Sequence, residues 1–532
     1  MKTPEPFDAV VVGAGHNGLV AAGYLATMGL SVAVVEQSAK PGGLCQTREV
    51  LPGLQGNMAV NSPHNLDPEV IQVLELERHG LTWIDLGSPS SMALLPGGTR
   101  IIAFSDQRLA RAEYDYFGPG EYDAYMRTLH ELNELGRTLD VSFYDPPPSL
   151  SELRARVPAG PLVDLFDQVM FGSAADLARA KLGSEEVQAS LAMLAVAGNY
   201  VGPSTPGSAF QLAQRPMYRE STAARSRQKA LGTAEYAPRT PRGGMGAVTQ
   251  AMENSARSRG VTFLYDTEVE GVEVTGNVVR GVHTQRGFLP ARAVVSAINP
   301  VHTMLALVPR EALDPAFVDE ISSIRMDGCM AKVYLALDGL PRFASARSDA
   351  ENLLMTRCGF RAGPTIADID SSYALSLAGR WDGKPVVYGL LQTAFDDSLN
   401  SPGRHVMSLS VSYAPRHLAS GSWSEDRGDW VDHIVTWLTQ HITNLPDILV
   451  DSGCLTTEEL ETEFGLTGGN ALHGDVFATS MFDTRPFPGH TDYTTPIVGL
   501  YCCSSGTWPG NYVSGLSGRN AALRVASDLS QR

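Results

Sequence analysis

Three glycines and a carboxylate, Gly13, Gly15, Gly18 and Glu36, are the first residues of this 532-residue chain whose spacing suggests chemistry. They read GAGHNG, the pattern GxGxxG, with Glu36 closing the next apolar run. Such glycines permit a tight turn, close approach of the backbone to a pyrophosphate, and packing of a helix near a sheet. An acid at the end of the following strand accepts hydrogen bonds from ribose hydroxyls. The chemistry indicated is dinucleotide binding, and the motif alone leaves NAD and FAD both open.

Three elements must position these groups. DAVVVG (8–13) is a β-branched run that predicts a parallel strand buried on both faces. LVAAGYLATMG (19–29) predicts a small-residue helix ending near Gly29, whose N-terminus offers N–H groups to phosphate. Residues 31–35 predict the next strand. Three later segments decide between the cofactors. Gly42-Gly43 lies in the loop QSAKPGGLCQT directly after Glu36; residues 261–274 lead through VVRGVHT to a further strand at 291–299; and GLYCCSSGTWPGNYVSGLSGRNAALRVASDL reads as a strand, a Gly/Ser-rich turn and a terminal helix. A nicotinamide dehydrogenase has no need of a dinucleotide site completed by its C-terminal segment.

Composition narrows the class. Hydrophobic residues make up 43% and charged residues 19%, as in a globular chain with a sizeable core. The net charge is −17, and no basic run stands against it, which excludes the electrostatic footprint of a nucleic-acid binder. No apolar run reaches the roughly 18 residues of a spanning helix, so a soluble chain is expected, with peripheral membrane contact left open. The six cysteines form no CxxC pair, which predicts neither a zinc knuckle nor a disulfide framework. MKTPEPF carries no apolar signal core, so a cytoplasmic location and no metal are the default expectations.

The sequence resembles the flavin-dependent, phytoene-desaturase-like oxidoreductases, most closely their pyridine nucleotide-disulfide oxidoreductase domain 2 branch. The resemblance rests on GAGHNGLVAAGYLA with its unusual His-Asn pair, LELERHGLTW (74–83), PRGGMGAVTQAM (241–252), LALDGLP (335–341), LETEFGLTGGNALHGD (460–475), RPFPG (485–489) and VSGLSGRNAA (513–522). It implies non-covalent FAD at Gly13, Gly15, Gly18, Glu36, Gly42 and Gly43, with Ala14, Asn17 and Leu44 in the same two loops. It places Val269 where a backbone meets the adenine, and Ser505 and Gly506 beside the pyrophosphate and ribityl chain. Val513 and Ser514 are expected to open the last helix, facing the isoalloxazine pyrimidine ring. A helix N-terminus there favours the negative charge that arrives with hydride. Two departures stand out. Leu44-Cys45 follows the paired glycines where many relatives carry Arg or Ala, and the common turn THPGGG reads TWPGNY (507–512). Loop drift explains the second change; so does a substrate cavity reshaped by Trp508 and Tyr512.

The implied fold is α/β: a two-domain FAD-dependent oxidoreductase with a discontinuous Rossmann-like FAD domain (1–85, 236–300 and 485–532). A mixed sheet-plus-helix substrate or lid domain (86–235 and 301–484) completes it, the first insert reading as helical and ending in an Arg-rich polar stretch. His64 is the candidate acceptor of a proton, with a structural role as its alternative, and Tyr512 is the candidate cavity residue. No lysine lies near the C-terminal flavin segments, so the lysine-and-water device of many amine oxidases is not visible. The expected activity is removal of hydride from a mostly apolar, unsaturated small molecule to form a C=C bond, with oxygen, a quinone or another carrier reoxidising the flavin. Oxidation at a C–N bond, redox-neutral isomerisation and a catalytically silent flavoprotein that serves only in binding are the alternatives, and a homo-oligomer is open.

Overall fold

The computed structural model describes residues 5–61, 65–231, 238–510 and 512–531. His64 lies outside them. Two seven-stranded sheets organise the chain. In the first, the spatial order is Val269–Thr275, Val278–Thr284, Gly287–Ser296, Phe7–Val12, Val32–Val35 and Thr262–Leu264, with Leu500–Cys502 against Gly287–Ser296. Ala9, Val10 and Val11 are wholly buried because parallel neighbours flank the strand and helices cover both faces. The strands at the start, middle and end of the chain thus share one sheet, and the parallel pairing of Val294 with Leu500 brings the C-terminal segment to the glycine motif.

The helix His16–Thr27 packs along the terminal helix Leu516–Ser530 at close range. A Cβ at Gly18 would fall 2.1 Å from Gly13 O, and one at Gly518 would fall 2.1 Å from Asn17 O. Neither approach survives a side chain.

The second sheet runs Leu449–Leu455, Ala331–Leu337, His405–Ser412, Val386–Leu390, Gly359–Ala362, Ser91–Leu95 and Thr99–Ile102. The hairpin Ser91–Ile102 corrects the reading of the first insert as helical: its strand Ser91–Leu95 pairs in parallel with Gly359–Ala362. Helices then dominate, from Gln107–Tyr114 to Thr222–Leu231; the Arg-rich stretch is helical up to Leu231 and ends in the short strand Arg239–Pro241. Strand Ala331–Leu337 is buried throughout. Its alternation sends Val333, Leu335 and Leu337 to one core, and Tyr334 and Ala336 to another, against Leu51, Leu54 and Met58.

Candidate active site

The site is built from the N-terminal motif outward. Glu36 ties it together: Oε2 accepts from Ala14 N at 2.7 Å and Oε1 accepts from Ser38 N at 2.9 Å. Each carboxylate oxygen keeps a lone pair for a further donor. Glu36 N donates to Leu264 O, and Thr267 N donates to Glu36 O, which carries the chain past the carboxylate to Val269.

Gly42 N donates to Ala14 O at 2.8 Å, and Gly15 and Gly42 form a parallel bridge. Gly42 holds φ +119°, a conformation that favours glycine. The paired-glycine loop is thereby laid over the first helix, while the space beside Gly15 holds nothing within 4 Å of a Cβ. Gly15 caps the helix without a side-chain bond, so its first N–H groups depend on a ligand or water.

The C-terminal turn closes the other side. Ser504 Oγ accepts from Gly506 N, and His473 Nδ1 lies 3.2 Å from the same oxygen. Arg485 grips this turn: Nη2 donates to Leu472 O at 2.5 Å and to Ser505 O at 2.9 Å, and Nη1 reaches Asp475 O at 3.4 Å. Burial pulls the Arg485 guanidinium down to about 10, against the opposing field of Asp475. Val513 and Ser514 do not open the last helix. That helix begins at Leu516 behind Gly515, whose φ of +77° turns the chain, and Ser514 Oγ accepts from Leu516 N. Ser514 O instead accepts from Asp67 N.

Asp67 is fully buried and receives the phenols of Tyr144 and Tyr218 at 2.6 and 2.7 Å. It locks the helical insert to the turn, and desolvation raises its carboxyl above the ordinary range. Trp508 is 1% exposed, its ring held between Phe143 and Phe482, so it belongs to the core and does not border an open cavity. Tyr512 is half-buried at φ +77°.

One functional candidate escaped the sequence reading. Lys332 sits on the Tyr334 face of the second sheet and reaches Asn61 Oδ1 at 3.1 Å and Ser410 Oγ at 3.2 Å. Val60 N donates to Leu44 O, so Asn61 belongs to the return of the paired-glycine loop. Desolvation lowers the Lys332 ammonium to about 7. A lysine that yields its proton near neutrality is able to serve as a base. The signal was the single charged residue within the apolar strand MAKVYLAL. The absence of a lysine near the C-terminal segments concerns neighbours in sequence; Lys332 stands on the second sheet, against the return of the paired-glycine loop.

Among the described residues no helix is long and apolar enough to cross a membrane, and no cluster of metal-ligating side chains occurs.

The fold and site define a two-domain flavoprotein built on two mixed sheets. The flavin-containing amine oxidoreductase family matches residues 18–356. The chain is 30% identical over 560 residues to pyridine nucleotide-disulfide oxidoreductase domain-containing protein 2 of Mus musculus, covering 99% of this chain and 94% of that one. It is 22% identical to one of the subunits of limonene dehydrogenase from Castellaniella defragrans, covering 99% and 96%. Wild-type putrescine oxidase bound to putrescine superposes with a TM-score of 0.63 at 17% identity, covering 99% of this chain and 100% of that chain. The chain belongs to the flavin-containing amine oxidoreductase family and is an FAD-dependent oxidoreductase. The residues present fit FAD, given the open space beside Gly15 and two buried polar atoms of the motif, His16 Nε2 and Asn17 Oδ1, without partners among the described residues.

Proposed function

We propose that this enzyme removes hydride from a mostly apolar small molecule and forms a C=C bond. FAD, when bound, supplies the hydride acceptor. Forming C=C also requires that a neighbouring carbon lose a proton, so a base is needed beside an apolar substrate. The observation that carries the reading is Lys332: a buried amine, lowered to about 7, on a strand whose other side chains are apolar or aromatic. The limonene dehydrogenase relative, matched over nearly the full length, supports an apolar substrate class.

In this reading Gly13, Ala14, Gly15, Asn17, Gly18, Glu36, Gly42, Gly43 and Leu44 hold the dinucleotide. Val269 meets the adenine, Ser505 and Gly506 flank the linker, and Val513 and Ser514 face the flavin ring. Segments 1–85, 236–300 and 485–532 act as the FAD domain, and 86–235 with 301–484 cover the substrate. His64, outside the described residues, stays a candidate acceptor of the proton, and Tyr512 a candidate residue of the substrate cavity. Oxidation of a C–N bond is the second reading, favoured by the family match and by the similarity to putrescine oxidase.

Anaerobic mixing with a panel of unsaturated terpenoids, cyclic enones and amines, followed by flavin absorbance and product mass, tests both. Bleaching by a hydrocarbon or enone, with loss of two hydrogens and an intact skeleton, is the expected result. Bleaching by amines alone, with an imine or its hydrolysis product, would favour the second reading and remove the first.

A further inference from the structure

The His-Asn pair inside the glycine motif and the Leu44-Cys45 pair after the second glycines are both unusual, and so is Tyr512 in the C-terminal turn. The fold brings the three together around one imidazole. His16 Nδ1 lies 4.0 Å from Cys45 Sγ. The main chain of Tyr512 also interacts with the same ring.

His16 Nε2 is shielded from solvent and has no partner among the described residues. The neighbouring Asn17 is 5% exposed, and its Oδ1 is in the same condition. Leaving a buried polar atom unpaired costs about 1–3 kcal/mol. Two such atoms on adjacent residues of one motif mark a place where a ligand supplies the missing partners. The room exists: nothing lies within 4 Å of a Cβ at Gly15, immediately before His16.

The charge state agrees with a donor. Burial lowers the His16 imidazole to about 4, so the ring is neutral at physiological pH. Burial also pushes the Cys45 thiol up to about 12, so it keeps its proton. With the thiol as donor in the 4.0 Å contact, the ring proton sits on Nε2; the contact itself fits either tautomer. Arg485 supplies the charge nearby; His473 is held neutral, lowered to about 3 by burial and by the field of Arg485.

We propose that His16 is a cofactor-positioning residue, its tautomer set by Cys45, whose Nε2–H donates a hydrogen bond to an oxygen of the ribityl–pyrophosphate linker of FAD. The proposal rests on FAD as the cofactor and is independent of the reaction assigned above.

The test is titration of apoprotein with FAD, followed by flavin fluorescence, with apoprotein unfolding measured in parallel. His16→Leu weakens binding about tenfold, the loss of one hydrogen bond. His16→Asn, which keeps an N–H, stays within about threefold of the parent, and Cys45→Ala falls between them. Equal affinity of His16→Leu and the parent overturns the proposal, and so do equal losses in the Leu and Asn variants. Nitrogen-15 spectra of histidine-labelled parent protein decide the matter even where His16→Leu does not fold. FAD must shift one imidazole Nε2 resonance that is missing from His16→Asn, and a resonance unmoved by FAD refutes the contact.

Discussion

Lys332 Nζ lies 3.1 Å from Asn61 Oδ1, joining a strand of the second sheet to the loop that returns from the paired glycines. The contact spans 271 residues of sequence, and the amine at its centre is buried without a salt-bridge partner among the described residues. The second sheet and the paired-glycine loop thus share one titratable group.

Lys332→Met tests that group. The unfolded chain holds this proton up to about 10.5, whereas the folded chain releases it near 7. Stability from this residue therefore rises with pH between the two values, and below 7 the buried cation is a full penalty. The melting temperature of Lys332→Met should exceed that of the parent most near pH 6, with the gap closing toward pH 10. Where Lys332 acts as base, the same variant slows flavin bleaching by about 10²-fold. A gap that does not vary with pH would place the lysine's titration elsewhere.

Glu36→Ala removes two hydrogen bonds to main-chain N–H groups, those of Ala14 and Ser38. Loss of a carboxylate acceptor from buried donors costs about 2–3 kcal/mol. Denaturant unfolding of the apoprotein reads that loss directly, and FAD titration reads the weakening of about tenfold or more that follows when the glycine turn relaxes. Retention of both apoprotein stability and FAD affinity would contradict the role of Glu36 as the anchor of the turn.

Gly15→Ala and Gly18→Ala separate cofactor space from packing space. The methyl at position 15 enters open space, so the apoprotein should unfold at the parent's midpoint while FAD binding weakens severely. The methyl at position 18 meets Gly13 O at 2.1 Å and Ala297 Cβ at 2.9 Å, so the backbone must move. That overpacking is worth about 1–3 kcal/mol or more and should appear in the apoprotein itself. Thermal unfolding of both apoproteins distinguishes the two.

Arg485→Met leaves the buried carbonyl of Leu472 and the half-buried carbonyl of Ser505 without their donor. About 2–4 kcal/mol of stability should go with them. Arg485→Lys should recover little, because an ammonium cannot span both carbonyls as the planar guanidinium does. Urea midpoints for the three proteins provide the measurement; full recovery in the lysine variant would mean that charge, and not the fork of donors, matters here.

The first strand, first helix and Glu36 were readable because their information is local: a β-branched run, small residues at the turn and an acid one element later lie within residues 7–36. The start of the last helix was misplaced because Gly515, in the left-handed region, breaks the chain just after Ser514, and no composition rule marks which glycine does so. The hairpin Ser91–Ile102 was hidden inside a stretch of helical periodicity because its partner strand, Gly359–Ala362, is far along the chain. At Trp508 the sequence left loop drift and a reshaped cavity both open; Phe143 and Phe482, distant in sequence, enclose its ring in the core.

The sequence by itself determined the dinucleotide motif, the return of the C-terminus to that motif, and the flavoprotein class, since each depends on contiguous residues whose backbone needs are chemical. Tertiary structure alone decided which side chains share the site. Lys332 meets Ser410 across 78 residues and Asn61 across 271, and His16 meets Cys45 across 29. Burial then changes what those groups are: the same amine and imidazole that are charged or titrating in water are pushed toward their neutral forms, because desolvation penalises the charged ones.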